Sequence, residues 1–159
     1  MIEICKSMNE IPVDEFQGLD NDNPFMKYDF LWSLESSGCA SDAFGWAPNH
    51  LIEKNEQGHI TCFTPAYLKY NSFGEYIFDH AWVDFYNKVN IKYFPKLLVA
   101  IPFTPIRSCK FLTKSNVANG KEKSIKAIKS LLNKYDISSA HINFIEDPEI
   151  GILQDNNFI

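Results

Sequence analysis

A chain of 159 residues, 45% apolar and 22% charged, has the size and composition of one folded domain with a substantial core. Its net charge is −5, and no apolar run approaches the ~20 residues of a membrane-spanning helix, which excludes a transmembrane helix. The N-terminus, MIEICKSMNE, lacks a basic segment followed by an apolar one, so no secretory signal is visible and a cytoplasmic location is expected.

Aromatic residues make up 14% of the chain, with Phe 13 and Tyr 7, which predicts ring-rich core and cleft walls. Cys5, Cys39, Cys62 and Cys109 form no C-x-x-C pair, which argues against a zinc knuckle or redox dithiol and for buried free thiols. Charge is uneven. Residues 1–60 are acidic, whereas residues 107–134 carry Arg107 and seven lysines against the single acid Glu122. That window is either a local anion-binding surface or a solvated helix face.

In chain order, Ile2–Cys5 suits a first strand, and Ile11–Phe16 a short helix opened by Pro12. Asn23-Pro24 signals a second helix start, followed by Phe25, Tyr28, Leu31, Trp32 and Leu34 at helical spacing up to Ser37-Gly38. Residues 46–53 and 59–69 read as a long hairpin turning at Asn55–Gly58, with Pro65 marking a bulge or edge. Residues 73–78 are a short strand or extended loop. Residues 81–89 predict an inserted helix whose Trp82 and Phe85 belong to the core.

Leu97–Ile101 reads as a strand covered on both faces, ending at Pro102-Phe103-Thr104-Pro105. Residues 107–117 read as a loop. Gly120–Tyr135 is the clearest helix, with a stripe of Ile125, Ile128, Leu132 and Tyr135. Ser138–Ile145 is a strand, and Asp147-Pro148 opens a last helix. The order β-α-α-β-β-(α)-β-α-β-α predicts an α+β fold with a mixed sheet flanked by helices.

The phrases NPFMKYDFLWSLESSG, GWAPNHLI, PAYLKYNSFGEYIFDHAW and YFPKLLVAIPFTP resemble the FemAB-like N-acyltransferases of peptidoglycan biosynthesis and recognition. The resemblance covers most of residues 23–105. It implies a GNAT-like fold, with residues 1–159 a single lobe that forms the N-terminal half of a two-lobed protein. It also implies transfer of an acyl or aminoacyl group to an amine, such as one on a peptidoglycan precursor. The donor is acyl-CoA or aminoacyl-tRNA, with no tightly bound cofactor and no metal.

In GNAT-like folds the donor phosphates lie between the fourth strand and the next helix, here residues 102–123. Arg107, Lys110, Asn119, Gly120 and Lys121 are the cofactor-binding candidates, although the paired glycines of the family pattern Q/R-x-x-G-x-G/A are absent. Tyr76, Asp79 and His80 are the catalytic candidates, a carboxylate beside His80 being a means of orienting it. Their alternative is structural, with Asp79 capping the following helix. Asp84, Phe103 and Thr104 are candidates for substrate binding; His50, His59 and His141 read as isolated. Two functions remain open: an N-acyltransferase, or a non-catalytic substrate-recognition or scaffolding lobe that needs a second half. A nucleic-acid-contacting face on Lys121–Lys134 is a third, weaker reading.

Overall fold

Two strand pairs, each broken once, set the frame. The computed structural model of the chain describes all residues except Met1, Asp20, Asn116 and Ala118. The strands β2 (Ala47–Pro48) and β3 (His50–Lys54) follow one another across Asn49, and β4 (Ile60–Thr64) and β5 (Ala66–Lys69) across Pro65. Pro65 has no N–H for a ladder, so the pairing changes sheets there. Asn49 N–H still reaches Ala66 O at 2.8 Å, which carries the hairpin through the break.

With β1 (Ile2–Cys5), β6 (Lys96–Val99), β7 (Leu112–Thr113) and β8 (Ala140–Ile142), the described strands form two sheets, ordered β1-β3-β4-β7 and β2-β5-β6-β8. Pairing is antiparallel except between β6 and β8, which run parallel. The connection between those two is the expected crossover through α4 (Gly120–Lys134). The architecture is α+β, consistent with a GNAT-like fold.

The helices α1 (Val13–Gln17) and α2 (Tyr28–Ser36), with the 3₁₀ turn between them, cover one face of the first sheet, burying Phe16, Leu31 and Met26 against Ile52, Phe63 and Leu112. Asn23 caps a single 3₁₀ turn, Pro24–Met26, rather than the long helix, which starts only at Tyr28. α4 lays Ile125 and Ile128 on the opposite side, against Leu51, Ala66, Leu97 and Val99. Its stripe stops short of Tyr135, which is the exposed C-cap. The last helix, α5 (Asp147–Asp155), adds Leu153 to the same cluster.

Three expectations are corrected. The segment 107–117 contains β7, a two-residue strand paired with β4. α3 (His80–Lys88) buries none of its residues, and Trp82 and Phe85 are 62% and 53% exposed rather than core. Helical spacing reveals an apolar stripe but not the direction it faces. Cys39 is exposed, and only Cys5 and Cys62 are fully buried; all four thiols are free.

The histidines are not isolated. His50 Nδ1 accepts the Ala66 N–H at 3.2 Å, which leaves Nε2 to donate to Glu35 Oε1 at 2.7 Å. A donor freed by the break at Pro65 is thus satisfied by a ring that also ties α2 to the sheet. His59 pairs with Glu15, and His141 meets Ser139 Oγ at 3.0 Å.

Candidate functional site

Alternation along the second sheet divides its residues between two layers. Ala66, Leu97 and Val99 face α4. The intervening cross-strand pairs, Tyr67↔Leu98 and Lys69↔Lys96, face the other way. Two lysines are therefore directly opposite each other on one face, both fully buried. Like charges so placed repel, and burial demands counter-charges.

Those charges come from the loop that follows β5. Lys96 Nζ donates to Glu75 Oε2 at 2.9 Å and to Asp79 Oδ2 at 2.7 Å, while Lys69 Nζ lies 4.0 Å from Glu75 Oε1 and donates to Phe73 O at 3.1 Å. Tyr93 OH adds a hydrogen bond to Asp79 Oδ2 at 2.7 Å. Asp79 occupies the N-cap position of α3 without making a side-chain cap bond; its carboxylate points into the ion cluster.

Burial raises the Asp79 pKa, but the hydrogen bonds from Lys96, Ser72 and Tyr93 outweigh it, and the carboxyl ends at about 2. Glu75 is pushed up by burial despite both lysines. Lys69 is pulled down to about 8, burial outweighing the pull of Glu75. These acids neutralise the lysines, so the loop from Tyr70 to Asp79 is held from beneath.

From above, the same loop is held by rings. Trp46 is 1% exposed, stacks edge-on against Tyr67 at 5.3 Å, and donates Nε1–H to Phe73 O at 3.1 Å. Lys69 Nζ lies 3.7 Å from the centre of the Trp46 ring, a close cation–π contact. Phe103 packs on Trp46 with ring centres 5.2 Å apart. Gly74 fits against both with φ +75°, and a Cβ there would lie 2.5 Å from the Phe103 ring. Gly74→Ala is expected to cost about 1–3 kcal/mol and to displace Phe103 from Trp46, as read by urea unfolding and the Trp46 Nε1–H NMR signal.

Beside this loop opens a cleft of about 720 Å³, walled by Leu34, Ala43, Phe44, Trp46, Phe73 and Phe103, with Ser37, Cys39 and Asn71 also contributing. Among the described residues, no charged side chain lines it. The volume and the apolar wall with a few polar groups are those of a ligand pocket.

The structure distributes the sequence candidates unevenly. Phe103 is a cleft wall and Asp79 anchors the loop beneath it. Thr104 is half-buried, its hydroxyl donating to Pro102 O at 2.9 Å. Tyr76, His80 and Asp84 are exposed, and the Asp79 carboxylate that was to orient His80 is engaged with Lys96 and Tyr93 instead. Among the described residues, no three His, Cys, Asp or Glu side chains come together to hold a metal.

The donor-site candidates lie on the other side of the second sheet's strands, around β8 and the start of α4. Arg107 pairs with Asp147 and donates to Ile145 O at 3.0 Å. Lys110 is buried, its ammonium donating to Ser108 Oγ at 2.6 Å, Ser108 O at 3.0 Å and Phe144 O at 2.8 Å. Lys121 donates to Cys109 Sγ at 3.3 Å and lies 3.9 Å from Glu149 Oε1. Gly120 is buried against Thr113, and Asn119 adopts φ +61° at the N-cap without a side-chain cap bond. Asn116 and Ala118, within the expected cradle, lie outside the described residues. Ser108 and Lys110 have the composition of a nucleophile–base pair, yet both are at most 1% exposed, so no acyl group reaches them.

Burial pulls Lys110 down to about 8, and with Lys69 this gives stability an unusual alkaline dependence. Below pH 8 both lysines are charged folded and unfolded. From about 8 to 10.5 the folded chain releases protons that the unfolded one keeps, so stability rises with pH. Cys5 and Cys62, pushed by burial from 9 up to about 11, act in the opposite sense above pH 9. The urea midpoint should rise from pH 7.5 to 9 and then level or fall. A steady fall across pH 7.5–9 would contradict the buried lysines.

Sequence reasoning missed Lys69, Lys96, Glu75 and Trp46. Lys69 and Lys96 each sit at a strand position that alternates in phase with a buried residue, Tyr67 and Leu98, which was the available signal.

No curated protein and no solved structure matches this chain. A family match spans residues 7–159, nearly the whole chain, and carries the description peptidoglycan biosynthesis/recognition. The chain belongs to the FemAB-like family.

Proposed function

We propose that this chain is the substrate-recognition lobe of a FemAB-like N-acyltransferase, binding a peptidoglycan precursor in the aromatic cleft. Transfer of an acyl or aminoacyl group to the acceptor amine then requires a donor site on a second GNAT-like lobe. The observation that carries this reading is the contrast between the two regions. The cleft is open and its Trp46 wall is held by Tyr67, Lys69 and Phe103, whereas Arg107, Lys110 and Lys121 are each engaged with groups of this chain. The absence of the paired glycines supports it further, and a cytoplasmic setting belongs to the same proposal.

A second reading, transfer by this chain itself from acyl-CoA or aminoacyl-tRNA, is favoured by the lysine-rich fifteen-residue α4 and its uncapped N-terminus. Calorimetry with a peptidoglycan-precursor analogue bearing an alkyl chain and with acetyl-CoA separates the two. The recognition reading predicts binding of the precursor analogue, no acetyl-CoA binding and no acyl transfer by the chain alone. Acyl transfer without a partner would establish the second reading in its place.

A further inference from the structure

The walls of the cleft say which part of a ligand they suit. Leu34, Ala43, Phe44, Trp46, Phe73 and Phe103 present hydrocarbon, and among the described lining residues the polar side chains Ser37 and Asn71 are partly used within the chain. Ser37 Oγ donates to Leu34 O at 3.2 Å, and Asn71 Oδ1 accepts the Phe73 N–H at 3.0 Å. A sugar ring or peptide would meet few hydrogen-bond partners here, and polar groups buried without them are disfavoured. Lys69, whose ammonium lies over the Trp46 ring and donates to Phe73 O, is fully buried and does not line the cleft.

We infer that the cleft takes the aliphatic chain of an amphiphile, acyl or prenyl, with its polar head left at the mouth. The inference rests on the reading of this cleft as the ligand site. A volume of about 720 Å³ falls in the range of small-molecule pockets and accommodates a single chain. Fixation of Phe73 O by Trp46 and Lys69 means the loop backbone beside the cleft needs little ordering on binding. The loop continues from Phe73 to Tyr76 and to Phe78, which is 86% exposed, extending the apolar surface outward from the mouth.

Cys39 supplies the readout, because it lines the cleft and its thiol is exposed. Cys5 and Cys62 are buried with pKa values raised to about 11, and Cys109 donates to Glu149 at 3.1 Å, so N-ethylmaleimide near neutral pH should modify Cys39 first. With the whole chain, saturating palmitate or farnesyl phosphate should slow Cys39 alkylation about tenfold or more, followed by mass spectrometry. The two probes distinguish acyl from prenyl chains.

Phe44→Ser removes an exposed wall and should raise the amphiphile concentration needed for half-protection about tenfold. Ala43→Trp should abolish amphiphile-dependent protection by filling the space. Unchanged alkylation with both amphiphiles, or undiminished protection in both variants, would overturn the inference. A chainless muropeptide that protects Cys39 as well as the amphiphiles would also overturn it while leaving the recognition reading standing. Protection by palmitate without binding of any precursor analogue would do the reverse.

Discussion

Replacing Lys96 by Met should destabilise the protein by about 3–5 kcal/mol, the range for a buried ion pair that loses one partner. Glu75 Oε2 loses its 2.9 Å donor and retains only Lys69, 4.0 Å from its other oxygen. Asp79 keeps the Tyr93 hydroxyl but no ammonium at contact distance. A methionine fills most of the volume of the lysine stem, so the loss reports charge rather than a cavity. Adding Glu75→Gln to Lys96→Met restores the balance of one cation and one anion and should regain a substantial part of the stability. Urea midpoints of the two variants check both statements. A single-variant loss under about 1 kcal/mol would mean that the cluster does not hold the loop.

Trp46→Ala should cost about 3–5 kcal/mol, as for other fully buried large aromatics. The ring carries the edge-on contact with Tyr67, the packing of Phe103 and the cation–π contact of Lys69. Its removal opens the floor of the cleft onto Lys69, so amphiphile binding should fall along with stability. Trp46→Phe keeps a ring but loses the N–H to Phe73 O, which still accepts from Lys69 at 3.1 Å. It should cost only about 1 kcal/mol more than the change in ring area. Comparing the two by urea unfolding separates the ring from its hydrogen bond.

Much of the fold was legible because its signals are local. The Ile125–Ile128 stripe and the Leu97–Val99 run mark α4 and β6, and Pro65 marks the place where the hairpin changes sheets. The β7 strand was not legible, since two paired residues leave no period to detect. Trp82 and Phe85 were placed in the core because the spacing of an amphipathic helix is the same whether its stripe faces inward or outward.

The site was half legible for a related reason. The aromatic loop and Phe103 stand out by composition, and Asp79 by its place before a helix. What Asp79 does depends on Lys96, seventeen residues away in the chain, and on Lys69 opposite it across the ladder. Lysine in a strand ordinarily signals an exposed edge, so nothing local marks this pair as a buried one. Likewise, nothing local to Lys110 or Lys121 indicates that Ser108, Phe144, Cys109 and Glu149 engage them.

The recognition reading puts ligand binding in the aromatic cleft and not at the start of α4. Its most direct test is NMR titration of the ¹⁵N-labelled protein with a peptidoglycan-precursor analogue bearing an alkyl chain, and separately with acetyl-CoA. The precursor analogue should shift the Trp46 Nε1–H and the amides of Cys39, Phe73 and Phe103, and acetyl-CoA should leave the amides of Gly120 and Lys121 unmoved. Shifts at Gly120 and Lys121 with acetyl-CoA, together with an unperturbed Trp46 in the presence of the precursor analogue, would contradict it.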